Sequence, residues 1–80
     1  MLPACMPAWH RIRNVQLCVF AADHPPPHFH AIAPDWDALI DIESLTVFQG
    51  KVPSAMLKEI KAWASLSHAL LRKTWRTLNI

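Results

Sequence analysis

Hydrophobic and polar positions change period three times along this chain. VQLCVF (15–20) is apolar and β-branched, which predicts a strand. Val15, Leu17 and Val19 would share one face, and Gln16, Cys18 and Phe20 the other. HFHAIA (28–33) predicts a second strand, and Pro34-Asp35 predicts a turn after it. WDALIDIE (36–43) alternates strictly. Trp36, Ala38, Ile40 and Ile42 face one way, and Asp37, Leu39, Asp41 and Glu43 the other, the pattern of a half-buried strand. LTVFQG (45–50) makes a fourth strand, ended by Gly50, the chain's one glycine. Pro53 then suits the first turn of a helix. From Ser54 to Leu78 there is neither Pro nor Gly, and Leu57, Ile60, Ala64, Leu71 and Leu78 recur near helical spacing, with Trp63 and Leu70 alongside. Ser65-Leu66-Ser67 is where that helix would break in two, with Ser67 as a cap. Residues 1–13 hold two prolines and no clear period, and read as a loose N-terminal arm.

These elements predict an α+β fold, a four-stranded, mostly antiparallel sheet followed by a C-terminal helix. Residues 14–80 would form its single domain, because 80 residues make one domain at most. So short a chain buries a limited core, and association with a partner or with itself would help it. With 52% hydrophobic and 18% charged residues, disorder is excluded over most of its length. No apolar run approaches the ~20 residues of a membrane span, and MLPACMPAWHRIR has no signal-peptide core. The expectation is therefore a cytoplasmic protein. Cys5 and Cys18 are too few for a disulfide framework, and Cys18 reads as a small hydrophobe in its strand.

The formal charge of +2 is unevenly laid out. Residues 23–43 hold Asp23, Asp35, Asp37, Asp41 and Glu43 with no Lys or Arg, and all eight basic residues lie outside that window. An acidic, histidine-bearing middle thus sits between basic ends. Basic ends could steer a nucleic acid, although aromatic interleaving is sparse. A solvated helix face is the blander account of the same residues.

Candidate chemistry gathers at DHPPPHFH (23–30). Three prolines exclude helix and stiffen the turn that delivers the histidines. A two-residue loop at Pro34-Asp35 would pair His30 with Leu39 and His28 with Asp41, with directly opposed side chains on one face. His28, His30, Asp37, Asp41 and Glu43 would then project together. A three-residue loop without a bulge would reverse the parity. Two imidazoles and a carboxylate could hold a divalent metal, or Asp41 could orient a histidine general base. Equally, a His–Asp pair could simply fix the turn. His10 and His68 lie apart and read as surface residues, and His24 would join only if the proline turn folds back. No G-x-S-x-G elbow surrounds any serine, and one glycine cannot build a phosphate cradle.

Asp23, His24, Pro26, Pro27, His28, Phe29, His30 and Ala31, followed by Ile40, Asp41, Ile42 and Glu43, resemble the bacterial domain of unknown function 4160 family. The resemblance spans roughly residues 6–79. Met6-Pro7 looks like that family's usual start, so residues 1–5 read as an extension or a misassigned start. The chain departs from the pattern at Pro25, where asparagine is usual, at Ala21 and Ala22, in place of an aromatic and an acid, and at Asn14, in place of glycine. The missing acid at position 22 weakens a metal-site account. The resemblance implies a small, biochemically uncharacterised protein whose gene often sits beside a second small gene, an arrangement suggestive of a toxin–antitoxin pair.

Two functional expectations follow. One is an interaction module that binds a small protein partner, or itself, through the helix and its tryptophans Trp63 and Trp75. The other is a metal-assisted hydrolase, such as a ribonuclease-type toxin. In that case His28 and His30 would bind metal or shuttle protons, Asp41 would ligate or orient, and basic helix residues would hold phosphates.

Overall fold

A computed structural model describes residues 9–20 and 25–79 of the chain. Five strands precede two helices: β1 (Trp9–Ile12), β2 (Val15–Cys18), β3 (His28–Ile32), β4 (Asp37–Asp41), β5 (Val47–Gly50), α1 (Ser54–Leu66) and α2 (His68–Leu78). The strands form one antiparallel sheet in sequence order, β1-β2-β3-β4-β5. The α+β expectation holds, with five strands rather than four.

The additional strand comes from residues 9–12 of the expected loose arm. WHRI carries too short a pattern to announce itself, but Arg13 takes φ 55 and reverses the chain tightly enough to set Ile12 opposite Val15. Ile12 then packs against the core, which repays the ordering of a four-residue strand. Residues 1–8 of that arm lie outside the described residues.

Alternation decides what each strand buries. Val15, Leu17 and Val19 are at most 1% exposed, and Phe29, Ala31, Ile40 and Ile42 are fully buried on the same side. The helices close this face with Ile60, Ala64 and Leu71. Trp36, Trp63 and Trp75 pack half-buried around its margin. Trp63 meets the Phe29 ring edge-on at 5.9 Å and stacks flat on His10 at 4.9 Å. Cys18 faces the other side of the sheet. It is buried and disulfide-bonded, with its partner outside the described residues. This corrects the reading of Cys18 as a small hydrophobe only: two cysteines are too few for a framework, but enough for one bridge.

The predicted ends move inwards where local chemistry intervenes. β4 stops at Asp41, because Asp41 Oδ1 accepts hydrogen bonds from the backbone N–H of Glu43 (2.8 Å) and Ser44 (2.9 Å). That side-chain turn draws the chain out of the ladder, and Leu45 completes it at φ 59, its N–H donating to Asp41 O at 2.8 Å. Gly50 ends β5 at φ +82. Pro53 stands at the N-cap of α1, and its carbonyl accepts the Leu57 N–H at 2.9 Å.

The expected helix break falls at Ser67 alone. Its hydroxyl makes no capping hydrogen bond to either helix. Instead its N–H donates to Trp63 O and its carbonyl accepts the Leu71 N–H, both at 2.9 Å. Ser67 itself has φ −105 and ψ 16, outside helical geometry, so the four-residue ladder stops at the junction and resumes beyond it.

Candidate functional site

The proline turn delivers β3 in the expected register. His28 lies opposite Asp41 and His30 opposite Leu39, with Pro34-Asp35 as the two-residue connection. The Ala33 N–H donates to Trp36 O at 2.8 Å and closes that hairpin. Opposed residues share a face, so His28, His30, Asp37 and Asp41 do stand on one side of the sheet.

Sharing a face does not make these side chains chemically equivalent. His28 is only 2% exposed. Its Nδ1 lies 2.7 Å from Pro26 O, and a carbonyl can only accept, so Nδ1 carries the ring proton. Its ring is packed among aromatic neighbours, with His30 and Trp75 at 5.1 Å and Phe48 at 5.5 Å. His30 is half-buried and touches Phe20 at 4.3 Å. Asp41 spends Oδ1 on the turn that ends β4. Among the described residues, no three His, Cys, Asp or Glu side chains come together as a metal-binding group. His24 lies outside the described residues.

Glu43 lies past the end of β4. Having turned out of β4, it reaches α2, where Arg72 Nε and Nη2 donate to its two carboxylate oxygens at 2.9 Å each. Arg72 Nη2 also approaches His68 Nδ1 at 3.4 Å, which sets His68 as acceptor there and turns its Nε2 toward Glu43 Oε1 at 3.7 Å. The fork-on-carboxylate geometry fixes orientation as well as charge. It ties the end of the sheet to α2, beside a groove of about 320 Å³ lined by Pro27, Glu43, Arg72, Trp75, Arg76 and Asn79.

The Arg72 hydrogen bonds hold Glu43 below its ordinary value of 4.5, against a smaller opposing push from desolvation. A carboxylate with a lowered folded-state pKa adds stability above its unfolded value and loses it as pH falls through the folded one. In acid titration followed by thermal melting, wild type should therefore lose more stability below pH 4.5 than Glu43→Gln does. The difference should shrink in high salt, because the pair is exposed.

A family model described as Domain of unknown function (DUF4160) matches residues 15–76. The chain belongs to the DUF4160 family. No curated protein and no solved structure matches it. The matched span runs from the start of β2 nearly to the end of α2, so it contains the proline turn, the His28–Asp41 hairpin and the Glu43–Arg72 tie.

The two tryptophans expected at a partner surface are turned inwards in this DUF4160 chain. Trp63 lies between His10 and Phe29, and Trp75 lies against His28. Among the described residues, the large apolar side chains left in solvent are different ones: Leu66 at 91%, Leu70 at 59% and Phe48 at 45% exposure. Leu66 and Leu70 flank the helix junction. Helical spacing set Leu70 alongside the buried stripe, and the structure corrects this, because packing covers Leu71 and leaves Leu70 outside. The signal for Leu66 was a leucine at a helical position that the core-facing spacing does not need.

Proposed function

We propose that this chain is a protein-interaction module, the protein-binding half of a small two-component system of the toxin–antitoxin kind. The observation that supports this most is the exposure of Leu66 and Leu70 beside a core against which Trp36, Trp63 and Trp75 already pack. Isolated surface leucines are ordinary. Two of them, on either side of the helix junction, form the nucleus of a contact patch. The polar groups first suspected of chemistry are meanwhile engaged in holding the fold. His28 bonds the proline turn, Asp41 closes a turn, and Glu43 ties sheet to helix.

Purification of the tagged chain from its own cells tests this reading. The expected result is one small protein recovered in fixed stoichiometry, and dissociated by high denaturant rather than by nuclease. A chain that stays alone and monomeric at all concentrations would contradict it.

The register favours a second reading, a metal-assisted hydrolase or ribonuclease-type toxin, to the extent that His28 stands opposite Asp41. One divalent metal per chain by elemental mass spectrometry, lost in His28→Ala/His30→Ala with the fold intact, would put that reading first.

A further inference from the structure

The helices carry Lys58, Lys61, Arg72, Lys73 and Arg76 against a single acid, Glu59. Arg72 is matched by Glu43 of the sheet, and Glu59 by Arg13 at 3.0 Å. Lys58, Lys61, Lys73 and Arg76 therefore leave the outer helix surface positive, and all four are exposed. Across the same surface runs an apolar line. Ala62, Leu66 and Leu70 are spaced by four residues, and each is exposed. Ala62 and Leu66 share one face of α1, and Leu70 stands in the first turn of α2, just past the break at Ser67. Lys58 lies one turn before Ala62, and Lys73 lies three residues after Leu70. The line thus has an apolar centre and a lysine at each end.

We propose that this face docks an acidic amphipathic helix of a partner protein, its apolar side on Leu66 and Leu70 and its carboxylates toward Lys58, Lys61 and Lys73. The proposal rests on the interaction-module reading and gives that reading a surface and a partner chemistry. Charge complementarity selects the occupant. A second copy laid on the same face would set lysines against lysines with no available carboxylate between them, and like charges brought together disfavour a complex. A nucleic acid would use the lysines but has no use for two leucines at the centre of the patch. A helix laid in register along such a line is an established way for one protein to hold another.

Leu66 and Leu70 are exposed, so their replacement by serine leaves the core untouched, which circular dichroism verifies. The probe is a fluorescein-labelled twenty-residue peptide with leucines on one helical face and glutamates flanking them, titrated into the full chain and read by anisotropy. Saturable binding is expected, weakened about tenfold or more by Leu66→Ser/Leu70→Ser. Lys58→Glu/Lys73→Glu should weaken it similarly, and a sister peptide with lysines in place of glutamates should fail to bind. Phe48→Ser, on β5, should leave it unchanged. The proposal is overturned by absent or leucine-independent peptide binding. It is overturned equally by an RNA oligonucleotide binding tightly while the peptide does not. A natural protein partner that stays bound to Leu66→Ser/Leu70→Ser would remove this surface and keep the interaction reading. The absence of any protein partner would remove both.

Discussion

Phe29→Ala should lower the unfolding free energy by about 3–5 kcal/mol, the usual cost of emptying a buried phenylalanine site. Phe29 is fully buried at the centre of β3 and pairs with Ile40 across the sheet. Its ring also supplies the edge contact with Trp63, which fastens α1 to the sheet. The substitution removes both the burial and that contact. A domain of this size has little stability in reserve, so much of the population should unfold. Phe48, 45% exposed on β5, gives the matched control. Phe48→Ala should change stability by no more than about 1 kcal/mol, since surface substitutions seldom do more. Urea denaturation with tryptophan fluorescence measures both. Equal effects at the two positions would mean that the core is not where the burial places it.

Gly50→Ala should be nearly as damaging, for a different reason. At φ +82 the backbone is in a region where a β-carbon alone costs about 1–2 kcal/mol. Space makes matters worse. A β-carbon at position 50 would lie 2.2 Å from the Asp37 carbonyl oxygen and 2.9 Å from the Ala38 Cα. Both neighbours are backbone atoms of β4, so no side-chain rotation relieves the collision. The edge strand has to move, and the Ala38–Gly50 pairing goes with it. The expected loss is about 2 kcal/mol or more, as the clash adds to the backbone cost. Amide exchange should quicken along β5 before it does in β2 and β3. Gln49→Ala, one residue away and exposed, should leave both quantities almost unchanged.

Much of the fold was legible because alternation is a direct readout of burial. Ala38, Ile40 and Ile42 alternate with Asp37, Leu39, Asp41 and Glu43 and are buried, as are Val15, Leu17 and Val19. The His28–Asp41 register was legible because a Pro-Asp pair limits the connection, and parity then fixes every opposed pair. β1 was not, since four residues beside two prolines hold too little pattern, and the turn at Arg13 uses a positive φ at a residue that does not advertise it. The site was only half legible. Which residues share the histidine face follows from counting. That Glu43 pairs with Arg72 follows a turn in which Asp41 captures two backbone N–H groups, a contact between neighbours that periodicity does not encode. The inward tryptophans and outward leucines show the same limit. Helical spacing says which residues share a face, and packing decides which face is covered.

On the proposed reading, the chain meets a protein partner through the outer face of its helices. Lysine crosslinking in the cells that make the chain, with the linked residues read by mass spectrometry, tests it most directly. The lysines are Lys51, just past β5, and Lys58, Lys61 and Lys73 on the helices. Crosslinks are expected from Lys58, Lys61 and Lys73 to one small acidic protein, with Lys51 silent. Crosslinks from Lys51 alone, or none to any protein, would contradict it.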